Sequence, residues 1–148
     1  MTKLKIEHRP PGDLKPYARN ARTHSKKQIA QIAASIKRFG FNNPVLVDKD
    51  GVIVAGHGRV AAAQSLGLQT VPVIQLEHLT DAERRAYILA DNRLAEKAGW
   101  DREILAIELQ NLMADDLDFD VAITGFEMPE IDVLIEQLEP QPDKQDPA

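Results

Sequence analysis

The sequence predicts an α+β domain followed by a small helical extension, and three observations carry that prediction. Two short β-branched runs, residues 44–47 and 52–55, flank Asp50-Gly51, which is how a hairpin reads in sequence. Three stretches repeat apolar residues at helical spacing behind the N-capping residues Ser25, Thr80 and Asp101. The length of 148 residues and a hydrophobic content of 43% suffice for one ordinary domain with an appendage. With only 5% aromatic residues, its core is expected to be aliphatic.

Taken in order, residues 1–24 read as extended and irregular, because Pro10, Pro11, Gly12 and Pro16 interrupt any long element. Ser25 and Gln28 form a capping box, Ile29, Ile32, Ala33 and Ile36 recur along one helical face, and Gly40 stands where a left-handed C-terminal cap belongs. The hairpin runs into Gly56-His57-Gly58, after which an alanine-rich helix is predicted from about Arg59 to Leu66, closing at Gly67. Residues 71–74 supply another strand, and Pro72 predicts that it lies at a sheet edge. Thr80 and Glu83 form a second capping box for a helix reaching about Ala95, and Asp101 caps one carrying Ile104, Leu105, Leu109 and Leu112. After a turn at Thr124-Gly125, Pro129 begins a last amphipathic helix through Ile131, Leu134, Ile135 and Leu138. The tail from Pro140 is polar and proline-rich, a composition that predicts disorder. The domain plan is therefore residues 1–98, an acidic helical extension 99–139 and a disordered tail 140–148, with no internal repeat.

Composition excludes several classes. Without cysteine there is no disulfide, thiolate metal site or cysteine nucleophile. No membrane-length apolar run or signal peptide is present, so a cytoplasmic protein without membrane contact is expected. The net charge of −5 hides an asymmetry: residues 1–40 carry ten Lys or Arg against two acids, and the remainder eight against twenty-one. Either the basic segment faces an anionic partner, nucleotide or DNA, or the opposite blocks pack together and face solvent.

The junction at Gly56-His57-Gly58 carries the sharpest chemical signal. A strand that stops at glycines and hands over to a helix aims free N–H groups, the positive helix dipole and here Arg59 at one point. That is an anion site. It is not the common ATP-binding loop, because no Gly-Lys-Ser/Thr follows. His57 there either donates to a phosphate oxygen or acts as general base, or else only bonds backbone. No His-Glu-x-x-His motif exists, and His8, His24 and His78 do not pair with His57 as metal ligands.

Asn20-Ala21-Arg22, Ala34-Ser35-Ile36 with Gly40 and Pro44, the run from Val54 to Arg59, Leu66-Gly67-Leu68 and the Val71–Ile74 strand occur in one order over roughly residues 10–95. In that arrangement the chain resembles the ParB/sulfiredoxin superfamily, in particular the ParB-like N-terminal domain also labelled a ParB-like nuclease domain, of phage-associated type. The resemblance implies a small mixed sheet with flanking helices. It also implies a nucleotide site, for CTP or ATP, with phosphate contacts at Gly56, His57, Gly58, Arg59, Arg22 and Asn92. Asp91-Asn92 lies where the partition proteins hold magnesium and triphosphate, unless the pair merely sits on a solvated helix face. The turn matches the family's Gly-Glu-Arg-Arg box at Gly56 and Arg59, whereas His57 and Gly58 replace its glutamate and first arginine, which weakens the phosphate clamp. His57 also stands in the position of the sulfiredoxin cysteine, so sulfinic acid reduction is excluded.

Four functions follow as expectations: a nucleotide-binding module acting in a DNA-associated or regulatory role, a nucleoside triphosphatase, a DNA-binding protein or nuclease with His57 and Asp91 as base and metal ligand, and a partner-binding adaptor linked to DNA methylation. DNA contact is expected through the basic N-terminal segment, with Arg84 and Arg85 as further phosphate contacts unless they are salt-bridged. A protein partner or a homodimer is expected through the C-terminal helices. Residues 101–148 hold fourteen acids and two basic residues, a charge that speaks against a DNA-reading recognition helix there.

Overall fold

The basic N-terminal segment, expected to be irregular, contains a strand, Ile6–Arg9 (β1). Its side chains are mostly exposed, so it lacks the apolar alternation by which a strand is recognised in sequence. The structure is a computed structural model and describes residues 3–20 and 23–138. It divides into two compact units, Met1–Ala98 and Gly99–Ala148.

In the first unit a 3-10 turn, Pro11–Asp13, follows β1, and then come Lys26–Phe39 (α1), Val45–Val47 (β2), Ile53–Ala55 (β3), His57–Ser65 (α2), Val71–Gln75 (β4) and Asp81–Lys97 (α3). The strands form one mixed sheet in the order β1-β4-β2-β3, with β2 parallel to β4 and the other pairs antiparallel. Both capping boxes are present, Ser25 with Gln28 and Thr80 with Glu83. Gly40 does take a positive φ of 91°, but with ψ at 166° it is extended rather than left-handed helical, a conformation open essentially to glycine.

Pro72 does not mark an edge. β4 lies inside the sheet, between β1 and β2, and the proline is tolerated through register. The Leu76 N–H donates to Val47 O (2.8 Å), so even-numbered residues of β4 point their nitrogens toward β2. Pairing with β2 begins only at Val45 opposite Val73, so position 72 has no ladder acceptor to miss.

Alternation along the strands builds two cores. Val45, Val47, Ile53, Val71 and Val73 pack with Leu14, Val60 and Ala63 on one side. Leu46, Val54 and Ile74 pack with Leu76, Tyr87 and Ile88 on the other. The sheet is thus covered by α2 on one face and by α3 on the other. Each fully buried valine contributes about 1.5–3 kcal/mol relative to exposure.

In the second unit Arg102–Ala114 (α4) and Met128–Leu138 (α5) flank a 3-10 turn, Val121–Thr124. Asp101 caps α4 by accepting from the Ile104 N–H (3.1 Å). Ala106, Leu109, Val121, Ile131 and Leu134 form its core. The expected disordered tail from Pro140 lies outside the described residues. Among the described residues no helix is long and apolar enough to cross a membrane.

Candidate functional site

The helix after the hairpin starts two residues earlier than expected. Gly56 is its N-cap, with φ 110° and ψ 22°, so His57 and Gly58 belong to the first turn of α2 rather than to a loop before it. Val60 is the first residue whose N–H reaches an intrahelical acceptor, Gly56 O at 2.9 Å, and no side chain caps the end. The N–H groups of His57, Gly58 and Arg59 therefore point out of the helix at its positive pole.

They border a cavity of about 220 Å³. Gly56, His57, Gly58 and Arg59 line it from α2, Asp91 and Asn92 from α3, and Asn20 and His24 from the segment before α1. Six of the residues expected at the site thus come together. Arg22 lies outside the described residues, between two lining residues of that same segment.

Arg59 is folded against the glycine that precedes the helix. Its Nη2 donates to Pro44 O (3.0 Å), and a Cβ on Gly56 would stand 3.0 Å from that nitrogen. Its Nε is buried without a partner. Burial lowers the guanidinium pKa, and the charge of Asp91 acts in the opposite direction. Gly58 is required by space: a Cβ there would lie 3.0 Å from Ile32 Cδ1 on α1 and 3.1 Å from His24 Cε1.

His57 Nε2 accepts a hydrogen bond from the Tyr17 N–H (3.1 Å). In the neutral ring the proton then belongs on Nδ1. Burial, and next the charge of His24, lower its pKa below the ordinary value, so the ring is neutral near pH 7. Asn92 Nδ2 donates to Ile88 O one helical turn back (3.0 Å), leaving Oδ1 as its acceptor. Asp91 is exposed. Among the described residues no three His, Asp or Glu side chains group to hold a metal.

Sequence reasoning missed Asp48. It is buried, and its carboxylate accepts from the N–H groups of Asp50 (2.8 Å) and Val52 (3.0 Å) and from Arg84 Nη1 (2.5 Å). Burial raises its pKa, but the Val52 and Asp50 donors and the Arg84 guanidinium outweigh that and hold it below the ordinary carboxylate value. Arg84 also bonds Asp81 (2.6 Å) and lies over the Tyr17 ring, 5.8 Å from its centroid. It is a structural cation, and the salt-bridged reading of Arg84 holds. The local signal was Asp48-Lys49-Asp50-Gly51, an Asp placed to accept from its own turn; its distant partner left no trace in the spacing.

Residues 2–93 match the family model of the ParB N-terminal domain. The chain belongs to the ParB N-terminal domain family. Over 83 residues it is 58% identical to the ParB-like nuclease domain-containing protein YnaK of Escherichia coli K12, covering 56% of this chain and 95% of that one. Its fold is similar to that of the C-terminally truncated chromosome-partitioning protein ParB of Caulobacter crescentus complexed with CTP-gamma-S. There the TM-score is 0.74 at 24% identity, over 90% of this chain and 78% of the other. The same Caulobacter protein complexed to the centromeric parS site aligns with a TM-score of 0.51 at 22% identity, over 89% and 71%.

Residues 103–148 match the ParB-methyltransferase HTH domain. The match concerns the domain family of this segment, whereas the expectation drawn from its acidic charge was that it carries no DNA-reading recognition helix. Net charge bears on what a surface binds and not on its fold, so the similarity and the acidity stand together.

Proposed function

We propose that the ParB N-terminal domain of this chain binds a nucleoside triphosphate, CTP or ATP, together with magnesium, and acts as a DNA-associated regulatory module. The convergence of the α2 N-terminus, Arg59 and the Asp91-Asn92 pair on one cavity carries the reading. Arg59 Nε is buried without a partner, a donor that a phosphate oxygen would satisfy once the guanidinium turns from Pro44 O into the cavity. The Caulobacter protein of similar fold was crystallised with CTP-gamma-S, which puts CTP first among the nucleotides to test.

Asp91 and Asn92 would hold magnesium through one carboxylate and one amide oxygen, a set that suits an ion keeping its waters and sharing phosphate oxygens. The ion would neutralise the phosphates. His57 serves as a positioning residue in this reading: its bond to the Tyr17 N–H fastens the segment before α1 to the start of α2. That bond occupies the lone pair a general base needs. The nuclease reading, carried by the name of the Escherichia coli relative, is correspondingly weaker. DNA contact is proposed through the basic segment of residues 1–40 on the ground of its charge; the Caulobacter protein of similar fold was crystallised with the parS site. Arg84, engaged by Asp48 and Asp81, has no part in it.

Thermal melting with each of the four ribonucleoside triphosphates and magnesium tests the proposal. CTP or ATP at a hundredfold excess over its Kd is expected to add about 2.7 kcal/mol of stability. An unchanged melting temperature with all four overturns it. Asn92→Ala is expected to remove the magnesium-dependent part of the gain, checked by repeating the melts with EDTA.

A further inference from the structure

The second unit leaves an apolar strip open beside its small core. Trp100 is 68% exposed, Ile104 60% and Val133 48%. Trp100 and Val133 line a groove of about 480 Å³ together with Leu105, Phe126 and Pro129, and one residue of each charge, Arg102 and Glu130, also lines it. Trp100 packs edge-on against Phe126, with ring centroids 5.3 Å apart and planes at 71°, so the indole is held at the groove while most of it faces water. Exposed aromatic and aliphatic side chains gathered around a groove are the usual anchor of a protein interface.

The rim decides what kind of partner fits. Between residues 101 and 138 there are eleven carboxylates and a single basic side chain, Arg102. Glu130 lines the groove opposite in charge to Arg102, and the exposed Asp101, Glu103 and Asp132 adjoin it in sequence, so carboxylates outnumber the one cation around it. Such a rim repels phosphate backbones and attracts cations. We propose that this groove docks a cationic amphipathic helix of a partner protein, its apolar face on Trp100 and Val133 and its Lys or Arg side chains on the carboxylates.

Trp100 is the chain's one tryptophan and reports on the groove directly. The full chain is titrated with a synthetic Lys/Leu amphipathic helical peptide and with its Glu/Leu analogue, following tryptophan emission. The cationic peptide is expected to give a saturable blue shift and the anionic one none. Val133→Asp separates docking from mere charge attraction, because it adds a carboxylate while spoiling the groove. Docking predicts affinity weakened by about tenfold or more, whereas attraction to an acidic surface predicts equal or tighter binding and overturns the proposal. If Val133→Asp fails to fold by circular dichroism, Val133→Ser takes its place, with the same weakening expected and no change in charge. Equal binding of both peptides, or duplex DNA that produces the shift and competes with the peptide, also overturns it.

Discussion

Gly56→Ala is expected to weaken nucleotide binding by about tenfold or more, or roughly 1.4 kcal/mol. The same change should remove only about 1–2 kcal/mol of folding stability. The folding term comes from φ 110° at the cap, where a side chain is strained. The binding term comes from Arg59: a Cβ would stand 3.0 Å from Nη2 and 3.2 Å from Cζ. The end of a flexible side chain gives way more cheaply than backbone, so the guanidinium leaves Pro44 O and the cavity wall is lost. Titration with labelled nucleotide beside urea unfolding separates the two terms. Unchanged affinity in a folded variant would remove Arg59 and its glycine from the phosphate site.

Asp48→Ala is expected to be strongly destabilising, costing about 3 kcal/mol, the lower end for breaking a buried ion pair because Arg84 retains some solvent. It leaves the N–H groups of Asp50 and Val52 and the Arg84 guanidinium without their acceptor. Asp48→Asn keeps an oxygen for the turn and should cost less. The pH dependence has a definite sign. A carboxyl whose folded pKa lies below the ordinary 3.8 contributes stability that is present above that value and lost as the pH falls through the folded pKa. The gap between the wild type and Asp48→Asn is therefore expected to be full at pH 7 and to close in acid below about pH 4. Urea unfolding at pH 7 and pH 3 measures it, and a gap that persists undiminished in acid would show that the Asp48 charge is not what stabilises the turn.

Local interactions made much of the fold readable. The two capping boxes and the Asp50-Gly51 hairpin depend on residues within four positions of one another, so composition and spacing report them. What failed was set by pairing across the chain. β1 is recruited by the edge of β4 and carries exposed side chains, so its periodicity is silent. Pro72 misled because a missing N–H matters only where a neighbour offers a carbonyl, and β2 begins one residue too late to do so.

The candidate site divides in the same way. Sequence by itself made the glycine junction and Arg59 beside it legible, because helix ends are properties of adjacent residues, whereas the Asp91-Asn92 pair was reached only through the resemblance to the family. Only the tertiary structure decided that these pieces face one cavity, that Arg59 rests on Gly56 and Pro44, that His57 gives its lone pair to Tyr17, and that Asp48 claims Arg84 from 36 positions away. Those outcomes depend on how sheet and helices close on one another, and the partner a side chain meets across that closure leaves no mark on its neighbours in the chain.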